Sequence, residues 1–316
     1  MRTWRLIGVA SLGTLMAAVV AGPMLAQAPA APAVGVDLAG EWSARQHEDQ
    51  PHRAPGPELG DYTGLPISAA SRQKADSWDA STISMPERNS QPHPVQYSYR
   101  GGGGPNFRLA KLFEPVTGQL IGYSMTGLYG RADRRIWLDG RDHPSDYSEH
   151  TWDGYSTGEW DGDTLVVTTT HMKYGVIQRN GVPASPYGVL KEYVFRHREY
   201  LTIAEILDDP FYLEERFIRT TNWVWNPQQN VALTQLFEAV DELGNKPLGW
   251  VPAWPLGTRH TEFGEMHNLP FEATRGGKES TYPEYVDKIG QLAAEEEAAK
   301  KAEAARTAAR PAAPRR

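Results

Sequence analysis

The side chains that could do chemistry gather between Arg134 and His171. His143, His150 and His171 stand there with Asp139, Arg141 and Asp153. Neutral imidazoles with a carboxylate suit zinc or another divalent ion. The spacing holds neither H-x-H nor H-E-x-x-H, so a metal centre at His143, His150 and His171 would need three separate elements to converge. The competing expectation for His143, which precedes Pro144, is a hydrogen bond to the loop backbone that orders the turn. Arg141 is either the anion clamp of a ligand mouth or a partner for Asp139 or Asp153 that stiffens the loop.

Two further patterns need weighing. Gly154-Tyr155-Ser156-Thr157-Gly158 spells G-x-S-x-G, the nucleophile elbow of α/β-hydrolases. That elbow needs a strand before it and a helix after it. Here Glu159-Trp160 and an Asp-Gly turn follow, so Ser156 is in the wrong context. Glu205 alternates with Leu201, Ile203 and Leu207, which puts a carboxylate among apolar side chains. A buried carboxylate is costly unless paired. Arg219 is the expected partner, which would make Glu205 structural; without it, Glu205 becomes a catalytic or binding acid. Of Leu190–Arg198, the aromatic face (Tyr193, Phe195, His197) is the expected core side, leaving Glu192 outside. In the N-terminal region, His47, Glu48, Asp49 and His52 are close enough to chelate, although such loop clusters are usually solvated.

The elements that must position these groups read as strands. Between Val95 and Trp225 there are nine candidates: 95–100, 106–113, 119–129, 134–138, 155–160, 164–171, 190–198, 200–207 and 213–225. Most show period-two alternation and short connections. Trp160-Asp161-Gly162-Asp163 is the clearest hairpin signal. No helix separates the strands, so parallel βαβ topology is not expected. A long antiparallel meander must hide its edges. The expected fold is therefore mainly β, an antiparallel meander closed into a lipocalin-like barrel, with a sandwich as second choice. The four-glycine run 101–104 lacks a following Lys-Ser/Thr and is no phosphate loop.

Around that core the expected organisation is a signal peptide at 1–28, a Pro/Ala linker at 29–36 and an irregular arm at 37–94. The barrel spans 95–230, an irregular flank 231–280, a helix 281–309 and a disordered tail 310–316. Arg2, Arg5, the apolar run Leu6–Val20 and Ala26-Gln27-Ala28 carry the signal-peptide reading. A periplasmic or secreted location follows, with no stable membrane span in the mature chain. Within the arm, Trp42 is the expected anchor, Leu65 and Ile67 plug a barrel end, and Ser68 caps a short helix over 69–79.

The 316 residues include no cysteine. An exported chain of this kind has no disulfide framework and no thiolate chemistry. Net charge is -7, without an internal basic cluster, which argues against a nucleic-acid partner. No cofactor is expected.

The stretch from Ile136 to Pro144, followed by Gly154 to Val167, resembles a family of exported bacterial proteins. The family's signatures are I-W-x-D-G-R-x-H-P and G-x-S-x-G-x-W-x-G-D-x-L-x-V. The similarity runs from Gly40-Glu41-Trp42 through Asp209-Pro210, and weakly to Tyr282-Pro283-Glu284-Tyr285. Family members often carry a cysteine near Asn89-Ser90; its absence here means that no thiol role transfers. The resemblance implies export and carries no reaction with it.

The function expected from the sequence is binding of a small, partly apolar molecule in the barrel cavity. Tyr99, Arg108, Trp137, Asp139, Arg141, His143, Tyr155 and Trp160 are the expected lining, with loop 139–153 as the gate. The alternatives are a metal-independent lyase, isomerase or hydrolase using His143, Glu205 and Arg141 in the same cavity, and an envelope interaction protein.

Overall fold

Alternating side chains decide which way each strand faces, and in this chain the alternation produces a wall with a charged layer inside it. The computed structural model describes residues 36–45, 49, 56–81, 94–98, 106–127, 131–228, 244–247 and 250–308. Its strands are β1 (Gly40–Ala44), β2 (Phe107–Phe113), β3 (Leu120–Gly127), β4 (Arg131–Trp137), β5 (Tyr155–Asp161) and β6 (Thr164–Thr170). A small hairpin of β7 (Gly175–Val176) and β8 (Pro183–Ala184) follows, then β9 (Val189–His197), β10 (Tyr200–Asp208) and β11 (Phe217–Trp225). Nine of these described strands close into a barrel in the order β1-β11-β10-β9-β6-β5-β4-β3-β2.

The protein is thus mainly β with a closed barrel, as its sequence indicates, but three details differ. The strand that completes the ring is β1, inside the expected irregular arm. It pairs with both β11 and β2 through Trp42, which faces Trp225 on one side and Phe107 on the other. Val95–Ser98, expected as part of a strand, is a short helix, α2. Val95, Gln96 and Tyr97 are all buried there, so the alternation of types marked no solvent face.

The third difference is that β4 and β5 run parallel, whereas the other pairs in the barrel are antiparallel. Alternation around a closed ring of nine strands cannot be complete, so one neighbouring pair must share a direction. That pair overlaps only at Ile136–Ser156 and Trp137–Thr157. The connecting residues 138–154 form a crossover loop, and this loop carries most of the chemistry-bearing residues.

Inside the wall, two apolar clusters flank a polar layer. The first cluster contains Leu38, Trp42, Phe107, Tyr123, Met125 and Trp223 among others, with Leu138 and Trp160 packed at its edge. The second joins Leu190 and Leu207 of the barrel to Tyr62, Leu65, Ile67, Ala75, Val95 and Met172. Leu65 and Ile67 do cover that end of the barrel. Helix α1 (Ala69–Asp76) belongs to the same cap; the Ser68 side chain accepts from the Ser71 amide and starts it.

Strand β9 presents the opposite face from the expected one. Leu190, Glu192 and Val194 are buried, while Phe195 is 37% exposed. An interior already holding Trp42, Trp223, Phe107 and Tyr123 has little room for another aromatic row, so the slimmer side chains turn inward.

Beyond the barrel, the expected irregular flank contains a helix, α3 (Glu262–His267), and two 3₁₀ turns, Phe271–Thr274 and Lys278–Thr281. Trp254 is 48% exposed, and the Phe263 ring lies 4.6 Å from that of His267, tilted by 48°. The final helix, α4, spans Tyr285–Ala308 and buries none of its residues. Among the described residues, no helix is long and apolar enough to cross a membrane.

Candidate functional site

The polar layer inside the barrel is built from matched strand positions. Glu192 on β9 stands opposite Glu205 on β10, and Glu205 stands opposite Arg219 on β11. Arg134 of β4 forks onto Glu192. Its Nη1 donates to Oε1 at 2.9 Å, its Nη2 pairs with Oε2, and both side chains are 1% exposed. The same guanidinium donates from Nε to Ser156 Oγ at 3.1 Å and from Nη2 to Thr169 Oγ1 at 2.8 Å. Ser156 and Thr169 share a further hydrogen bond of 2.9 Å. Ser156 is therefore a buried member of an ion-pair network in mid-barrel, on a strand rather than at an elbow.

Arg219 donates to Glu205 at 3.0 Å and to the Gln96 carbonyl at 3.1 Å. That is the structural pairing expected for Glu205. Arg134 and Glu192 were not recognisable from sequence. Arg134 sits in a basic, unpatterned run, and the aromatic alternation of β9 points Glu192 outward.

The crossover loop packs on the other side of the wall. Thr157 alternates with buried Ser156, and Thr170 with buried Thr169, so both threonine hydroxyls point outward. His143 bridges them, with Nδ1 2.7 Å from Thr170 Oγ1 and Nε2 2.8 Å from Thr157 Oγ1. Thr170 Oγ1 also lies 2.7 Å from His171 Nδ1, and His171 Nε2 lies 2.9 Å from the Ser145 carbonyl.

Hydrogen-bond chemistry then sets a direction. The Ser145 carbonyl only accepts, so His171 carries its proton on Nε2 and, when neutral, accepts at Nδ1 from the Thr170 hydroxyl. Thr170 in turn accepts from His143 Nδ1, and the Thr157 hydroxyl donates to His143 Nε2. One continuous relay, Thr157 to His143 to Thr170 to His171 to Ser145, pins the loop to β5 and β6. Burial lowers the pKa of His143 below its ordinary 6.5, and the neighbouring His171 adds to this. His143 thus orders the loop through threonine hydroxyls rather than through the loop backbone.

The other expected lining residues do not converge on one cavity. Trp137 lies on the outer face beneath Arg141, whose guanidinium is 3.7 Å from the ring centroid. Arg141 pairs with Asp139, which holds that carboxyl below its ordinary range. Tyr155 meets the His143 ring edge-on at 5.4 Å. Arg108 faces outward from β2 and pairs with Glu41. Trp160 alone of the set packs against the interior cluster. Tyr99, the 101–104 glycines, His47, Glu48 and His52 lie outside the described residues. His143 and Glu205, expected in the same cavity, stand on opposite sides of the barrel wall.

The three histidines do come close, since the His150 ring lies 5.2 Å from that of His171. Both nitrogens of His143 and His171 are already engaged. Among the described residues, no group of three His, Cys, Asp or Glu side chains could hold a metal ion.

His150 leads instead to a bay that sequence reading missed. Its Nδ1 lies 2.8 Å from the Met172 carbonyl, so Nδ1 carries a proton and, in the neutral ring, Nε2 is the acceptor. The ring faces Tyr187 at 6.4 Å, and Tyr187 contacts Phe211 at 5.2 Å. Tyr187 is 66% exposed and Phe211 56% exposed. Buried Asp209 ties their two loops together, accepting from the Ser185 amide at 2.6 Å, from Phe211 at 2.9 Å and from Tyr212 at 3.1 Å. The visible signal was Asp208-Asp209-Pro210, which reads only as a strand breaker.

Fold and site together define a closed mixed β-barrel with a charged interior and an ordered crossover loop on its outer wall. Compared with protein-family models, curated proteins and solved structures, the chain matches none of them.

Proposed function

We propose that this is an exported protein, periplasmic or secreted after loss of residues 1–28, that binds a small, partly apolar molecule on the outer wall of its barrel. The supporting observation is the division of labour across that wall. Inside, large aromatics occupy the space and the acids Glu192 and Glu205 are paired with Arg134 and Arg219. Outside, the crossover loop is fastened by a histidine–threonine relay beside partly exposed rings. Binding sites gather on loops held by a rigid scaffold, and this loop is such a case. On this reading the ligand mouth lies outside the barrel instead of at its lumen, with binding rather than turnover as its task.

Native mass spectrometry of the protein recovered from the periplasm, with metal analysis of the same sample, tests the reading. A retained organic mass lost on substitution of crossover-loop residues supports it. Stoichiometric zinc or iron, or an N-terminus still beginning at Met1 in a cytoplasmic fraction, would overturn it.

A further inference from the structure

We propose that His150, Tyr187 and Phe211 form the binding site for a hydroxylated six-membered ring, which packs on the two aromatics and donates a hydroxyl hydrogen to His150 Nε2. This rests on the reading that the ligand binds outside the barrel, and it names the chemistry accepted at the rim, where the crossover loop meets the loops before β9 and after β10.

The imidazole decides the polarity of the ligand. The Met172 carbonyl fixes the His150 proton on Nδ1, and among the described residues nothing bonds Nε2. The neutral ring therefore offers one acceptor to the bay. Against that neutral ring a carboxylate or phosphate oxygen would bring a lone pair against a lone pair. A metal ion would find a single nitrogen, because both nitrogens of His171 are committed to Thr170 and Ser145. A purely apolar guest would leave the acceptor without a donor. A hydroxyl satisfies it.

The two aromatics decide the shape. The Tyr187 and Phe211 rings are 43° apart in plane, in contact with each other and more than half exposed. Large exposed rings in contact offer apolar area and a π face to a flat or chair-shaped guest. They are not loosely held. Asp209, itself 2% exposed, accepts backbone hydrogens from both loops, and Ser185 Oγ accepts from the Tyr187 amide at 3.2 Å. His150 is held on the third side by Met172 and by the Thr151 amide bonding the His171 carbonyl at 2.9 Å. Three segments of chain are thus fixed around one small surface, the preorganisation that a weakly anchored ligand needs.

A sugar and a phenol share this chemistry, and titration of the isotopically labelled mature protein separates them. Cellobiose is one titrant and 4-methylphenol the other. The expected result is that one of the two moves the His150 Nε2 resonance together with the Tyr187 and Phe211 ring signals, in a saturable way. His150→Phe, which keeps a ring but removes the acceptor, should weaken that binding at least tenfold, and Tyr187→Ala should do the same. The proposal falls if neither titrant moves those signals, or if His150→Phe binds as tightly as the parent. Shifts confined to the groove of His143, Thr157 and Tyr155 would sink this bay but leave ligand binding on the outer wall intact. Shifts confined to Trp42, Trp223 and Tyr123 would overturn the outer-wall reading as well.

Discussion

Glu192 and Glu205 face each other across neighbouring strands β9 and β10, both inside the barrel. Two carboxylates at one level of a closed interior are tolerable because each has its own guanidinium, Arg134 for the first and Arg219 for the second. Removing one partner of such a buried pair leaves a charge without compensation, which typically costs about 3–5 kcal/mol. Arg134→Met should therefore lower the unfolding free energy measured in urea by about 3–5 kcal/mol. Arg134→Met combined with Glu192→Leu should recover much of the loss, because the remaining side chains are apolar and of similar bulk. A double variant no more stable than Arg134→Met alone would show that the layer is not held by this ion pair.

Much of this architecture was legible because alternation is a local signal. Leu201, Ile203, Glu205 and Leu207 announce their shared face in four letters, and Asp161-Gly162 announces its hairpin. What could not be read was decided by partners far along the chain. Glu192 belongs inside only because Arg134, 58 positions earlier, reaches it. Gly40–Ala44 becomes a strand because β2 and β11 offer two open edges, a condition that exists only once the ring is nearly complete. The site was legible as a cluster and illegible as a geometry. His143, Arg141 and Trp137 are all in one ordered region, yet strand parity puts them on the far side of the wall from Glu205. Tyr187 and Phe211 left no trace in the pattern, since exposed aromatics in Pro-containing loops look like punctuation.

The relay through His143 predicts how stability follows pH. In the folded protein, burial and the neighbouring His171 favour the neutral imidazole, so its pKa lies below the ordinary 6.5. As pH falls past 6.5, the unfolded chain takes up this proton before the native one does. Stability is therefore full above that point and declines as pH falls toward the lowered native value. Below that value this contribution stops changing. Tyr155 is the titratable group in contact with the ring and His171 reaches it through the Thr170 hydroxyl, with Arg141 and Asp139 beyond Tyr155. Urea midpoints at about pH 7.5 and about pH 5 should show the drop, and His143→Gln should flatten it. An unchanged pH profile in His143→Gln would contradict the assignment.

Gly154 is where the crossover loop re-enters the sheet, and it does so at φ +65°. A methyl group there would lie 2.6 Å from the Thr170 carbonyl oxygen and 2.7 Å from Thr169 Cγ2. The left-handed backbone alone costs a non-glycine residue about 1–2 kcal/mol, and the contact with backbone adds to it. Gly154→Ala should lower the thermal midpoint and also loosen the relay, because Thr170 is the hydroxyl shared by His143 and His171. Gly162, also at positive φ but with open space around it, is the control. Gly162→Ala should pay only the backbone term and leave the His143 resonances in place. Equal behaviour of the two variants would rule out a special role for the re-entry point.

Asp209 should behave as the positioning residue of the aromatic bay. Its carboxylate accepts from three backbone amides on two loops, and Asp209→Ala would leave those donors without an acceptor in a buried place. Each such loss is worth about 1–3 kcal/mol where water cannot enter, but here the loops can open to solvent, so the cost should appear as local loosening. Hydrogen exchange at the Ser185, Phe211 and Tyr212 amides should accelerate, while amides of β9 and β10 keep their protection. Ligand affinity at the bay should fall together with that protection. Asp209→Asn, which keeps one carbonyl acceptor, should give back part of both. If exchange at the three amides is unaltered in Asp209→Ala, the two loops are held by something else, and the link from Asp209 to Tyr187 and Phe211 is broken.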